Sequence, residues 1–419
     1  MILSRLVFKS LINRRSTVTL TIIAIAFSVA LLLGVEKIRQ DTRHSFANTV
    51  SGTDLIVGAR SGSLPLLLYS VFHIGNASNN ISWESYQKIS NNKSVAWSIP
   101  ISLGDSHRGF RVMGTNADYF NFYRHGNKKK LGFKEGGPFN ALFDVVVGAD
   151  VAKKLSYTIG KKIILSHGVG EVSFSDHDDK PFVIVGVLKK TGTPVDRTVH
   201  VSLQAIEAIH LDWQAGYKNP AHRVSAEQAL ALELKPKTIT AFMLGLHSRL
   251  KVFNLQRFIK QYYNEPLLAI LPGATLQELW TLLGLAESAL LVISSFVIIS
   301  GLLGMLTAIL GSLNERRREL AILRSVGARP WQILVMLCVE AGLITGIGIL
   351  VGVVLYYLTV VIAAPIVEAN YGLTLTLTSL SVTNIYMLLI TQCAGILIGL
   401  IPGIRAYRMS LNNGITIRL

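Results

Sequence analysis

The chain has 419 residues, half of them hydrophobic and only 16% charged, with a mean hydropathy of +0.44. A disulfide scaffold, a collagen-like or disordered chain and a nuclear protein are excluded by that balance, and a soluble enzyme is not expected. The formal net charge of +16 divides between helix flanks and one large insertion, so it does not call for nucleic acid.

Four stretches carry no Asp, Glu, Lys or Arg: Ser16–Val35, Ser288–Leu313, Ala341–Val367 and Ala369–Ile404. Each is long enough to cross a hydrocarbon core of about 30 Å as a helix of about 20 residues. In chain order we expect a cytoplasmic amphipathic helix over 1–16, a first span over 17–35, an outer domain over 36–278 with helical ends, and a second span over 286–313. A cytoplasmic helix over 314–329, a third span over 331–364, an outer turn over 365–380, a fourth span over 381–401 and a cytoplasmic tail over 402–419 complete the chain. The apolar run from Thr17 is longer than the ~7–15 residues of a signal-peptide core, so an uncleaved anchor is expected.

Basic flanks give the orientation, because cationic loops resist translocation. Arg5, Lys9, Arg14 and Arg15 precede the first span; Arg316, Arg317, Arg318, Arg324 and Arg329 separate the second and third; Arg405, Arg408 and Arg418 follow the fourth. Both termini are therefore expected in the cytoplasm. The insertion after the first span holds 29 Lys and Arg against 20 Asp and Glu.

The outer insertion reads as mixed α/β. Short β-branched runs at 54–57, 109–113, 144–147, 162–165, 182–188 and 198–202 are bounded by turn residues, as strands are. Helical patterns fall at 82–89, 150–155 and 202–209, two of them opening on serine caps. Residues 126–138, rich in Gly and Lys, are read as a loop. Cys338 and Cys393 both fall in apolar spans, so the outer domain has to be held by its own core. All ten histidines lie in this insertion. A metal centre is not expected, because no compact zinc spacing occurs; the residues that come first for one are His167, His177, Asp178 and His200.

The most informative segment is NERRRELAILRSVGARPWQI, Asn314–Ile333. Leu320, Ile322 and Leu323 against Glu315, Arg316, Arg318 and Glu319 form a short amphipathic helix. Gly327 suits its end and Pro330 the first turn of the next. Glu340 lies about 13 Å into that next helix at 1.5 Å per residue. A carboxylate at such depth costs about 2.5–3.5 kcal/mol and wants a partner. A structural hydrogen bond between helices is expected, since no second ionisable group is seen at that depth. The glycines at 342, 346, 348 and 352 read as a helix-packing face rather than a pore.

The segment resembles the coupling loop of the MacB/FtsX-like ABC transporter permeases, whose pattern runs close to E-R-x-R-E-I-A-x-L-R-A-x-G-A. The residues on that pattern include Glu315, Arg316, Arg318, Glu319, Leu320, Leu323, Arg324 and Gly327. The stretches VVVGADVAKKLSYTIGKKIIL and FVIVGVL are similar to the family's periplasmic core, and Pro402–Arg408 to its closing P-x-x-R-A-x-R. The usual later proline is replaced here by Leu411. The resemblance implies an α-helical membrane protein with four transmembrane helices in a 1+3 arrangement and a large mixed α/β extracytoplasmic domain between the first and second. It implies a non-catalytic permease subunit of the bacterial inner membrane, exporting a lipophilic or peptide-like substrate, with regulation of a periplasmic partner and metal or small-molecule transport as alternatives. No G-x-x-x-x-G-K-[ST] motif occurs, so ATP and Mg are expected on a separate P-loop ATPase and no cofactor on this chain. A second copy or a related permease, a periplasmic partner and membrane lipid complete the expected contacts; nucleic acid does not figure among them.

Overall fold

The computed structural model describes residues 14–49, 51–126, 128–168, 175–176, 179–214, 217–218, 224–315, 317–371 and 377–408. Two compact units emerge, one of apolar helices and one mixed α/β unit spanning Thr42–Leu283 together with Val367–Thr374.

The helical unit takes its residues from four helices, Arg15–Thr49, Pro272–Glu315, Pro330–Tyr371 and Val382–Arg408, each long and apolar enough to cross a membrane. The second and third have 44 and 42 residues, or about 66 and 63 Å at 1.5 Å per residue, roughly twice the hydrocarbon thickness. Helix therefore continues past Val35 to Thr49 and begins well before residue 286. Pro365 does not begin a turn, contrary to expectation: the third helix runs through it to Tyr371. A proline deletes one backbone hydrogen bond of its own, and apolar flanks keep the remaining carbonyls in the helix. Likewise Pro402 lies inside the fourth helix, which ends at Arg408.

Packing within this unit follows its small residues, since glycine allows transmembrane backbones to approach closely. A Cβ at Gly348 would stand 2.7 Å from Ile25 Cγ2, and one at Gly352 would stand 2.8 Å from the Ala26 carbonyl oxygen. Gly342 faces Ile396, and Gln392 Nε2 donates to the Gly342 carbonyl at 3.0 Å. The glycine face thus packs against the first and fourth helices. Ser28 Oγ lies 3.2 Å from the Val297 carbonyl of the second helix.

The α/β unit carries a sheet whose path runs Leu267–Ile270, Leu55–Ala59, Ala241–Leu246, Val95–His107, Phe110–Thr115, Thr198–Ser202, Asp144–Val147, Phe182–Leu188 and Phe133–Gly136. Neighbours are antiparallel except Thr198–Ser202 with Phe110–Thr115 and Asp144–Val147 with Phe182–Leu188, which are parallel. Val95–His107 is shared: its first part pairs with Ala241–Leu246, its second with Phe110–Thr115 and with Ser166–His167. Side chains from both sheet faces, Ile56, Ile99, Met113, Val146 and Leu188 in one cluster and Val112, Val145, Ile184 and Val201 in another, are buried. Helices Trp83–Ser90 and Leu203–Ile209 start at Ser82 and Ser202, whose side chains accept from the backbone N–H of Ser85 and Ala205. These are serine caps, which satisfy otherwise orphan donors of the first turn. The run 162–165 contributes only Lys162–Ile163 as strand. Residues 126–138 are not wholly loop: Lys129–Lys130 and Phe133–Gly136 are short strands, the latter an edge on Phe182–Leu188. Backbone pairing, not side-chain alternation, makes them strands, so a pattern search passes over them.

Candidate functional site

Three places in the structure hold the residues singled out above. The first is the short helix Arg317–Ser325 between the second and third apolar helices. It ends as its sequence requires. Gly327 takes φ +102, the left-handed region open to glycine, while Ala328 N–H donates to the Leu323 carbonyl at 2.9 Å and Gly327 N–H to that of Arg324 at 3.1 Å. The next helix opens with Arg329 N–H donating to Gln332 Oε1 at 2.8 Å. Glu315 closes the second apolar helix and Arg318 lies within the short one; Arg316 lies outside the described residues.

On the resemblance to the family's coupling loop, Leu320 and Leu323 would be the apolar anchors in a groove of the ATPase; the structure turns Leu320 inward instead. Leu320 is 5% exposed and packs into the helical unit's own core with Leu313, Ile333 and Leu337, with Leu323 half-buried beside it. Leu320 is therefore not available as an anchor for another protein. Ile322 and Val326 are the exposed apolar residues, at 62% and 83%, beside exposed Glu319. On the nine-residue helix and the turn that closes it, positions 320 and 323 form one stripe and 322 and 326 another. Periodicity reveals both stripes but not which of them turns inward.

The second place surrounds Glu340. Its side chain is 2% exposed and borders a cavity of about 390 Å³ with Arg14, Thr17, Thr21, Met305 and Ser312. Arg14 Nη2 donates to the Ser312 carbonyl at 3.1 Å. An ionisable group from the start of the first helix therefore reaches the same cavity, which spacing along the sequence does not disclose.

The third place is in the α/β unit. The candidates His167 and His200 are not brought together, and His177 and Asp178 lie outside the described residues. His200 is fully buried between Tyr119 and Phe120, with ring centroids 5.2 and 6.2 Å away. Its Nδ1 donates to the Val146 carbonyl at 3.3 Å, and Nε2 has no hydrogen-bond partner among the described residues. Burial, with a smaller push from His73, lowers its pKa to about 3, so it is a neutral core residue. His167 instead stands opposite Asp105 across paired strands. Its Nδ1 is 3.1 Å from Asp105 Oδ1 and 3.3 Å from His210 Nε2, and the latter is 3.6 Å from the same carboxylate oxygen. His210 caps the end of Leu203–Ile209, and its Nδ1 donates to the Ile206 carbonyl at 2.7 Å. Burial alone would lower the His210 pKa, but the hydrogen bond and charge of Asp105 raise it above the ordinary value. Asp105 is 2% exposed and His167 39%. Sequence reasoning passed over Asp105, which lies more than 60 residues from His167 in a strand with no alternating pattern.

Comparisons with known proteins bear on the whole chain. Residues 18–241 match the family described as MacB-like periplasmic core domain, and residues 291–411 the FtsX-like permease C-terminal family. The Macrolide export ATP-binding/permease protein MacB of Marinobacter nauticus is 35% identical over 117 residues, covering 27% of this chain and 17% of that protein. The match thus spans well under two thirds of that relative. Among solved structures, the periplasmic region of MacB from Actinobacillus actinomycetemcomitans is 11% identical and covers 56% of this chain and 94% of its own, with a TM-score of 0.34. The extracellular domain of the ABC-type transporter YknZ from Gram-positive bacteria is 12% identical and covers 52% and 99%, with a TM-score of 0.32. With one family matched over more than half of the chain and the second over its three closing apolar helices, the chain belongs to the MacB/FtsX-like ABC transporter permeases.

Proposed function

We propose that this permease couples ATP hydrolysis by a separate P-loop ATPase to conformational work on a substrate at the periplasmic side of the inner membrane. The substrate class we favour is lipophilic or peptide-like, exported from the outer leaflet or periplasm. Both termini and the helix Arg317–Ser325 lie in the cytoplasm in this reading, and the α/β unit lies outside. Excess Lys and Arg on the corresponding flanks supports that orientation.

The observation that carries the coupling role is the exposed pair Ile322 and Val326, on the short helix Arg317–Ser325 and the turn that closes it, between two apolar helices. An apolar pair exposed beside Glu319 and Arg324 suits a groove on a soluble partner, where a few buried side chains supply most of the affinity and charges fix register. Closure of an ATPase dimer would press on this helix and tilt the first and second apolar helices as levers. The unbroken helices Arg15–Thr49 and Pro272–Glu315 supply stiff elements for conveying that motion outward.

The test is purification of the tagged full chain in detergent from its native membrane. Recovery of a P-loop ATPase in equal amount, lost when Arg318 and Glu319 are both reversed in charge, is the expected result. A chain recovered alone, or an ATPase retained and fully stimulated in the double variant, overturns the docking role.

A further inference from the structure

We propose that Asp105, His167 and His210 bind a divalent cation of the Zn²⁺ type, through one carboxylate oxygen and two imidazole nitrogens. The proposal is independent of the transport reading above.

Geometry comes first. The three candidate ligand atoms form a closed triangle with edges of 3.1, 3.3 and 3.6 Å. Ligands at the 2.0–2.1 Å usual for zinc stand about 3.3 Å apart on a tetrahedral ion, and about 2.9 Å apart on an octahedral one. The triangle therefore has the dimensions of one tetrahedral face. Two nitrogens and one oxygen also disfavour Mg²⁺ and Ca²⁺, which take oxygen ligands.

The second observation lies behind the ligands. His210 Nδ1–H donates to the Ile206 carbonyl at 2.7 Å, which places the lone pair of the neutral ring on Nε2, the atom in the triangle. Metal-binding histidines are characteristically oriented by such a bond from the other ring nitrogen. The ligands also come from elements that the fold already fixes. Asp105 lies in the longest strand, His167 is its cross-strand partner, and His210 ends a helix packed on the sheet. Asp105 is buried while His167 is 39% exposed and His210 27% exposed, so one side of the triangle opens outward. Among the described residues these three are the protein ligands, and three ligands with a solvent-facing side are the arrangement of an exchangeable site rather than a closed structural one.

The test uses the full chain in detergent, purified without a polyhistidine tag and stripped with chelator. Zn²⁺ alone is titrated against a chromophoric chelator, and Co²⁺ alone is followed by visible absorption. We expect one Zn²⁺ per chain and the strong d–d absorption of four-coordinate Co²⁺. Asp105→Asn and His167→Gln should each weaken Zn²⁺ at least a hundredfold, while His247→Gln, at an exposed position elsewhere, leaves it unchanged. His167 is partly exposed, so its variant retains the fold if Asp105→Asn does not. Absence of stoichiometric binding by the unaltered chain, or binding that His167→Gln leaves intact, means a hydrogen-bonded carboxylate–imidazole cluster only and overturns the proposal.

Discussion

Lys180 Nζ lies 2.9 Å from Asp212 Oδ1, and both side chains are fully buried. Asp179, partly exposed, approaches the same ammonium at 3.1 Å. Two desolvated charges hold together only as a pair, and removing one strands the other in a low dielectric. Lys180→Met should destabilise the α/β unit by about 3–5 kcal/mol. The urea midpoint of the full chain, followed by tryptophan fluorescence, measures it. A loss under 1 kcal/mol would mean that water already reaches the pair.

His200 gives the α/β unit a pH dependence of known sign. Its folded pKa, about 3, lies below the ordinary 6.5, so the unfolded chain binds the proton more readily. Stability from this residue is full above pH 6.5 and declines as pH falls toward the folded pKa, by about 1.4 kcal/mol per unit. Between pH 6.5 and 5 it contributes about 2 kcal/mol of loss. His200→Phe, set among aromatic rings, should flatten the profile of unfolding free energy against pH by one proton. An unchanged slope would contradict a buried neutral imidazole.

The glycine face of the third apolar helix sets how closely its neighbours approach. Gly352→Leu pushes side-chain atoms into Ala26 and Val29 and should cost about 1–3 kcal/mol by overpacking. Gly304, with nothing within 4 Å of a Cβ, tolerates alanine. Thermal unfolding in detergent, read by size-exclusion chromatography, should fall for the first variant and hold for the second. Equal behaviour of the two would remove the packing role.

On the short helix Arg317–Ser325, stability and partner binding should separate. Leu320→Ala removes a side chain from the chain's own core and should cost about 2–5 kcal/mol. Ile322→Asp and Val326→Asp touch exposed positions and should leave thermal stability within about 0.5 kcal/mol, yet reduce ATPase recovery at least tenfold. Recovery that follows Leu320 instead would place the anchor on the other stripe.

The four apolar helices were legible because charge-free runs of that length have few other uses. Strands with β-branched residues between turn signals, such as Asp144–Val147 and Phe182–Leu188, were legible for a similar reason. Val95–His107, the longest strand, was not: it carries Pro100 and Gly104, and its pairing changes partner along its length. Helix Val252–Lys260 was passed over because it lacks a serine or aspartate cap. At the sites, type and spacing located the coupling segment but not its buried stripe. They named His167, but its partners Asp105 and His210 are joined to it by strand register and a helix end, which residue spacing does not encode.

Val95–His107 has a consequence for how the α/β unit comes apart. Because the strand bonds to Ala241–Leu246 along one part and to Phe110–Thr115 along the other, neither group of strands can detach without opening its ladder. Local opening is then confined to edges such as Phe133–Gly136, and the backbone amides around Ile99 and Ile101 should exchange with solvent deuterium only on global unfolding. A slow-exchanging spine of this kind lets a force applied at one margin of the sheet displace the whole sheet without shearing it.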